Sequence, residues 1–211
     1  HSMSNNEYSY RPWFFPEELH ATNWAANQMC RVIKRRDPNR PSFWYLSFRH
    51  PHPPLLPVQD YIDLYRDMGV EIDMPFTGSW TDAEDHCFSL QVDFDRGSEM
   101  TPEQIRGARL AFYALCTQID HQLRLIIGTL REEGLLDNTI ICFTSDHGDM
   151  LGNHGMWAKR LFFENSAHIP MLLMGVKGDE RVGHHRIDDR LVGWQDVMPT
   201  LLDLACIDIP D

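Results

Sequence analysis

Between Thr101 and Gly134 apolar residues recur at Ile105, Ala108, Phe112, Leu115, Ile119, Leu123, Ile126 and Leu130, in steps of three and four throughout. That period belongs to a helix with one apolar face. Thr101 can cap it, Pro102 suits the first helical position and Gln104 closes a capping box. Gly134 supplies the stop. A helix of about 30 residues is roughly 45 Å long. A short connection then leads into Thr139-Ile140-Ile141-Cys142-Phe143-Thr144, an almost unbroken β-favouring apolar run. Such a run suits a strand buried on both faces, as in a parallel sheet covered by helices. The long helix then packs across the sheet as a crossover, and the expected fold class is α/β.

The other segments fit that alternation. Residues up to Pro16 are polar and aromatic without a period and read as a surface segment. Glu17 to about Arg36 has a roughly helical spacing, with basic residues at its end where they suit the helix dipole. Asp37 to Pro41 is a turn, and Ser42 to Phe48 is a strand candidate rich in aromatics. It runs into Arg49-His50-Pro51-His52-Pro53-Pro54-Leu55-Leu56-Pro57, whose prolines remove backbone donors and fix φ, giving a stiff loop. Val58 to Met68 reads as a short helix, and Gly69 to Met100 as an irregular, acidic insertion or lid. Ile169 to Gly175 is a third strand candidate, Lys177 to Asp189 is turn-like, and Trp194 to Ala205 repeats a helical period. No internal repeat or low-complexity segment occurs.

With 211 residues the chain needs no disulfide or metal staple to fold. Its 31 acids against 19 Lys plus Arg leave a formal charge of −12, which argues against nucleic acid as a partner. Cys30, Cys87, Cys116, Cys142 and Cys206 lack any CxxC spacing and read as reduced thiols, Cys116 and Cys142 in buried patterns. No apolar run reaches the ~18 residues of a membrane span, and no signal-like segment opens the chain. A cytoplasmic setting and no membrane partner are the corresponding expectations. His1-Ser2-Met3 looks like the remnant of a tag before a native start near Met3, so the natural N-terminus stays open.

The chemistry concentrates where the Thr139 strand ends, in Ser145-Asp146-His147-Gly148-Asp149. Functional side chains of open α/β sheets gather at the carboxyl ends of strands. A carboxylate beside an imidazole offers one oxygen and one nitrogen to a divalent ion, so Asp146 and His147 are candidate metal ligands. Gly148 and Gly152 leave backbone room there, and Asp149, His154 and Lys159 add ionisable groups that a simple turn does not need. His52, fixed between prolines, suits a general acid or an anion contact. Lys159, in Gly155-Met156-Trp157-Ala158-Lys159, can serve as a fixed cation for a substrate oxyanion. Glu164 reads as structural, and His184-His185 as surface.

Ser145-Asp146-His147-Gly148, the following Gly-Asn-His-Gly, Lys159 and Phe163-Glu164-Asn165-Ser166-Ala167-His168-Ile169-Pro170 together resemble the sulfatase family of the alkaline phosphatase superfamily. Ser47 to Pro54 resembles that family's Pro-His-x-Pro loop, and Val197 to Leu204 its late helix. The resemblance covers nearly everything from Phe43 onward, in order. It implies an alkaline-phosphatase-like sheet with helices on both faces. It makes Asp146 and His147 metal ligands, and His52 and Lys159 contacts to sulfate ester oxygens. The implied reaction is attack of a formylglycine hydrate on sulfur with release of an alcohol or phenol, the metal being Ca²⁺ by family habit, with Mn²⁺ or Mg²⁺ as alternatives. The imidazole of His147 tempers Ca²⁺ in favour of Mn²⁺ or Zn²⁺.

The departures matter equally. None of the cysteines is followed by the family's Cys-x-Pro-Ser-Arg pattern, and the early paired aspartates are missing, since Asp188-Asp189 sits in a charged turn. Residues 1–211 therefore read as the middle of a sulfatase catalytic domain, incomplete, without the nucleophile region or the small C-terminal domain. Expected consequences are weak metal binding, no turnover by this chain alone, and exposed sheet edges and apolar helix faces that lead to a homo-oligomer or to substantial disorder. Two alternatives accompany this reading: a phosphonate monoester or phosphodiester hydrolase of the same superfamily, and a non-catalytic remnant.

Overall fold

The computed structural model describes residues 7–75, 100–159, 161–183 and 185–210. In chain order it runs through α1 (Ala21–Lys34), α2 (Gln59–Asp67), α3 (Pro102–Glu132), β1 (Ile141–Thr144), the single turn α4 (Glu164–Ala167), β2 (Met171–Met174) and α5 (Val197–Leu204). The start of α3 is the predicted capping box. The Gln104 N–H donates to Thr101 Oγ1 at 3.2 Å, and the Thr101 N–H donates to Gln104 Oε1 at 2.7 Å. Gly134 takes the left-handed conformation after the last turn, with φ 68°.

The two ends of α3 carry different cargo. Ala108, Ala111 and Leu115, in its first half, are fully buried in one cluster with Tyr8, Leu55, Leu151 and Trp157. Ile126 and Leu130, in its second half, pack with Ala26 and Ile33 of α1, while Trp44, Leu46, Phe48 and Ile141 close that cluster from the side. One helix thus seats loops at one end and, at the other, α1, the 44–48 segment and the start of β1.

The strands depart from expectation in direction. β1 pairs with β2 antiparallel, Ile141 opposite Met174 and Thr144 opposite Met171. Among the described residues a 3-10 turn (Asn153–Gly155) and the four-residue turn α4 lie between them, with no crossover helix, so the chain returns beside β1 in the opposite sense. Each residue of β1 is half-buried, and Leu172 to Met174 of β2 are exposed. Ser42–Phe48 is not a strand, although its period of two survives: Trp44, Leu46 and Phe48 face inward, while Phe43 and Tyr45 are 81% and 75% exposed. The segment is extended, and among the described residues it has no ladder partner.

The described opening residues, 7–16, are mostly exposed, as expected of a surface segment, but they are tied down at several points. Tyr8 is buried, Tyr10 forms a parallel bridge with Leu55, and the N–H groups of Arg11 and Trp13 donate to the carbonyls of Leu55 and Pro57 at 3.2 and 2.8 Å. Within Lys177–Asp189, Arg181 donates to the terminal carbonyls of α5, Asp203 and Leu204, at 2.9 and 3.0 Å. Cys116 is exposed, contrary to its apolar setting in sequence, and Cys142 is half-buried. Most of the expected lid, 76–99, lies outside the described residues, as does His184; His185 is exposed. No helix among the described residues is long and apolar enough to cross a membrane.

Candidate active site

The carboxyl end of β1 delivers Ser145, Asp146 and His147 in succession. Ser145 Oγ donates to the His147 carbonyl at 2.7 Å, and Trp194 Nε1–H donates to the Ser145 carbonyl at 3.0 Å, so the strand end is tied to the approach to α5. The next residue must be glycine. The Gly148 N–H donates to the Ser166 carbonyl at 2.8 Å, and a Cβ at Gly148 would lie 2.1 Å from the Asn165 carbonyl oxygen. This close approach explains the glycine of the motif.

The backbone therefore fixes the pair that precedes it. Asp146 Oδ2 stands 3.3 Å from His147 Nε2, and the two side chains are 78% and 32% exposed. His147 Nδ1 lies 2.7 Å from the Gly148 carbonyl, which can only accept. Nδ1–H therefore donates to that carbonyl, and Nε2 is the ring nitrogen that faces the carboxylate, its lone pair open to a metal in the neutral tautomer. Donors this far apart can both reach one divalent ion, which would take Asp146 Oδ2 and His147 Nε2 as neighbouring ligands. The pair fits as two members of a metal-ligand set. Among the described residues no group of three or more His, Cys, Asp or Glu converges to complete one.

Lys159 ends a loop of unusual backbone. Leu151, Gly152, His154, Gly155 and Ala158 all have positive φ, between 46° and 86°. Non-glycine residues there cost of order 1–3 kcal/mol each unless the surroundings hold them. Those surroundings are visible. Met150 N–H donates to the Ala158 carbonyl at 2.7 Å, Leu151 N–H to Asp149 Oδ1 at 2.9 Å, and the buried Arg109 guanidinium to the Leu151 carbonyl at 3.0 Å and the Tyr113 hydroxyl at 3.1 Å. The Tyr8 hydroxyl donates to Asp149 Oδ2 at 2.6 Å, and the Tyr8 ring lies 4.6 Å from that of Trp157. Burial pushes the Asp149 carboxyl up; the hydrogen bonds from Tyr8, Leu151 and Ala158 and the Lys159 charge oppose it.

His52 projects from the proline-rich loop. Its Nδ1–H donates to the Pro53 carbonyl at 2.8 Å, so Nε2 is the ring nitrogen left for another contact. Beneath it two imidazoles stack, His20 and His50, with centroids 4.7 Å apart. His20 Nδ1 accepts from the Thr22 N–H at 3.3 Å and the Gln118 amide at 3.0 Å, while its Nε2–H donates to the Leu56 carbonyl at 3.1 Å. His50 Nδ1 meets Thr22 Oγ1 at 3.1 Å. Burial lowers both pKa values. That of His50 falls to about 3, helped by the charges of His20, Arg49 and His52.

The structure thus brings Asp146 and His147 into contact and sets the Lys159 charge near Asp149. His52 donates within its own loop, and that loop shares a buried cluster on α3 with the Lys159 loop through Leu55, Leu151 and Trp157. Glu164 is exposed and pairs with His168 at 3.1 Å. Sequence reasoning passed over Tyr8, Arg109 and Trp194. Arg109 carried a signal, since it lies four residues after Ile105 and three before Phe112, on the apolar face. Tyr8, in an aperiodic stretch, carried none.

The sequence profile of the Sulfatase family matches residues 2–207. The chain belongs to the sulfatase family. An arylsulfatase of Clostridium perfringens (strain 13 / Type A) is 37% identical over 220 residues, covering 98% of this chain and 42% of its own length. The choline-sulfatase of Rhizobium meliloti (strain 1021) is 34% identical over 194 residues, covering 89% of this chain and 36% of its own. Among solved structures, the phosphonate monoester hydrolase of Agrobacterium radiobacter superposes with a TM-score of 0.67 at 26% identity, over 82% of this chain and 36% of that one. The fold of this sulfatase-family chain is accordingly alkaline-phosphatase-like α/β, and incomplete. The chain spans about two fifths of the length of the curated relatives, 42% and 36%.

Proposed function

We propose that this chain carries part of the active site of a sulfuric ester hydrolase. One observation supports it above the others: Asp146 Oδ2 and His147 Nε2 stand 3.3 Å apart at a strand end, within a sequence matched to the Sulfatase family over residues 2–207. In this reading Asp146 and His147 hold a divalent ion, Ca²⁺ by family habit and Mn²⁺ or Mg²⁺ as alternatives. When bound, such an ion supplies a Lewis acid for ester oxygens. Lys159 and His52 bind the sulfate oxygens, the lysine as a fixed cation and the imidazole through Nε2. The small-molecule partner is a sulfate ester. The family's formylglycine nucleophile has no counterpart in this sequence, because no cysteine stands in the required motif.

The test has two arms. Calorimetric titration with Mn²⁺ should show weak binding that Asp146→Ala abolishes. The 211-residue chain should leave p-nitrophenyl sulfate intact with Ca²⁺, Mg²⁺ or Mn²⁺ present. Robust turnover, or ion binding indifferent to Asp146, would overturn the reading. A second reading, phosphonate monoester or phosphodiester hydrolysis, draws support from the Agrobacterium radiobacter structure at 26% identity. Comparing sulfate and phosphonate esters on a protein that joins this segment to a nucleophile motif separates the two. Self-association through exposed apolar surface, and a reducing cytoplasmic setting for the four free cysteines among the described residues, complete the proposal.

A further inference from the structure

Both loops that carry candidate oxyanion contacts touch the same short piece of chain. Residues 8–13 run between them. Tyr10 and Arg11 join the His52 loop at Leu55, through the bridge and the 3.2 Å hydrogen bond, and Trp13 joins it at Pro57. Tyr8 joins the Lys159 loop, its hydroxyl on Asp149 and its ring on Trp157. The rail is α3, where Gly107 supplies the notch: a Cβ there would lie 2.3 Å from Tyr10 Cε1. Leu55, Leu151 and Trp157 share one buried cluster with Tyr8, so movement of the segment is felt in both loops.

We propose that residues 8–13 form a strap that couples the His52 loop to the Lys159 loop, with Tyr8 as a positioning residue for Lys159. The lever is Asp149. Its Oδ2 is held by Tyr8 and its Oδ1 holds the N–H of Leu151, the first left-handed residue of the Lys159 loop. Releasing the tyrosine hydroxyl removes one of the restraints on that backbone. The roles of His52 and Lys159 come from the sulfatase reading above; the mechanical coupling does not.

Hydrogen exchange on the full chain tests it with two variants. Tyr8→Phe keeps the ring on Trp157 and deletes the hydroxyl. Gly107→Ala favours the helix intrinsically while driving its Cβ into Tyr10. In Gly107→Ala the amides of His52, Leu55 and Leu56 and those of 149–159 should lose protection together, by roughly tenfold, with 26–33 and 126–130 unchanged. In Tyr8→Phe the loss should centre on 149–159. Faster exchange confined to 8–13, or in one loop alone in Gly107→Ala, overturns the coupling. If Gly107→Ala does not fold, unchanged exchange at 149–159 in Tyr8→Phe overturns the role of Tyr8. Calorimetry with inorganic sulfate adds the link to function: wild type should bind and both variants bind more weakly. Absence of sulfate binding in wild type would count against the sulfatase reading, while the exchange result would still decide the strap.

Discussion

A Cβ on Gly148 would sit 2.1 Å from the Asn165 carbonyl oxygen, and that oxygen is main chain with no torsion of its own to relieve the clash. Gly148→Ala must therefore move one backbone against another. The expected cost is about 1–3 kcal/mol, the usual range for overpacking, and it should appear as a lower urea midpoint at unchanged slope. Gly178→Ala is the contrasting control: it meets nothing within 4 Å but has φ 84°, so it carries backbone strain without a clash. Equal midpoints for Gly148→Ala and wild type would remove the steric account of the motif. At this scale the sequence was informative about donors and silent about their support. Asp146, His147, His52 and Lys159 announce themselves by residue type and by neighbouring glycine and proline. The partners that orient them, Tyr8, Arg109 and Trp194, are ordinary residues whose importance lies in contacts across long separations.

Between α1, α3 and the proline-rich loop, the buried His20 and the half-buried His50 form a joint that must stay neutral. Protonating His20 would put a proton on Nδ1, where the Thr22 N–H and the Gln118 amide already donate. Both pKa values lie below the ordinary 6.5, with Glu17 opposing the shift at His20 and Arg49 and His52 reinforcing it at His50. Above that pH the imidazoles are neutral folded and unfolded, so they leave stability unchanged. Below it the unfolded chain gains protons that the folded chain refuses. Stability then falls by up to about 1.4 kcal/mol per pH unit for each histidine, down to the folded value, about 3 for His50. Urea midpoints should be flat between pH 8 and pH 7 and decline from about pH 6.5, and His50→Phe should shallow that decline. A slope identical to wild type would place the acid sensitivity elsewhere. Elements were the most legible level. α3 matched its capping signals, while Ser42–Phe48 failed because a strand needs a neighbour, which its own sequence cannot provide.

Over the whole molecule, apolar surface is unevenly distributed. Phe162, Ile187 and Leu191 are at least 90% exposed, and Leu172 and Val192 are well exposed too. Sedimentation should show concentration-dependent association, and a single monomeric species up to high concentration would rule it out. The direction of the sheet was not readable, because it depends on the path of 145–170 and not on the composition of either strand. The strap has a consequence for assembly. The bond from Tyr8 to Asp149 joins residues 141 apart in sequence. Closing a loop of that length costs roughly 4 kcal/mol of chain entropy, whereas a single hydrogen bond returns about 1 kcal/mol. The strap cannot nucleate anything; it must wait until α3 and the Lys159 loop are in place. The strap precedes the Lys159 loop in the chain, so the contact between them forms only once residues 149–159 exist and have folded.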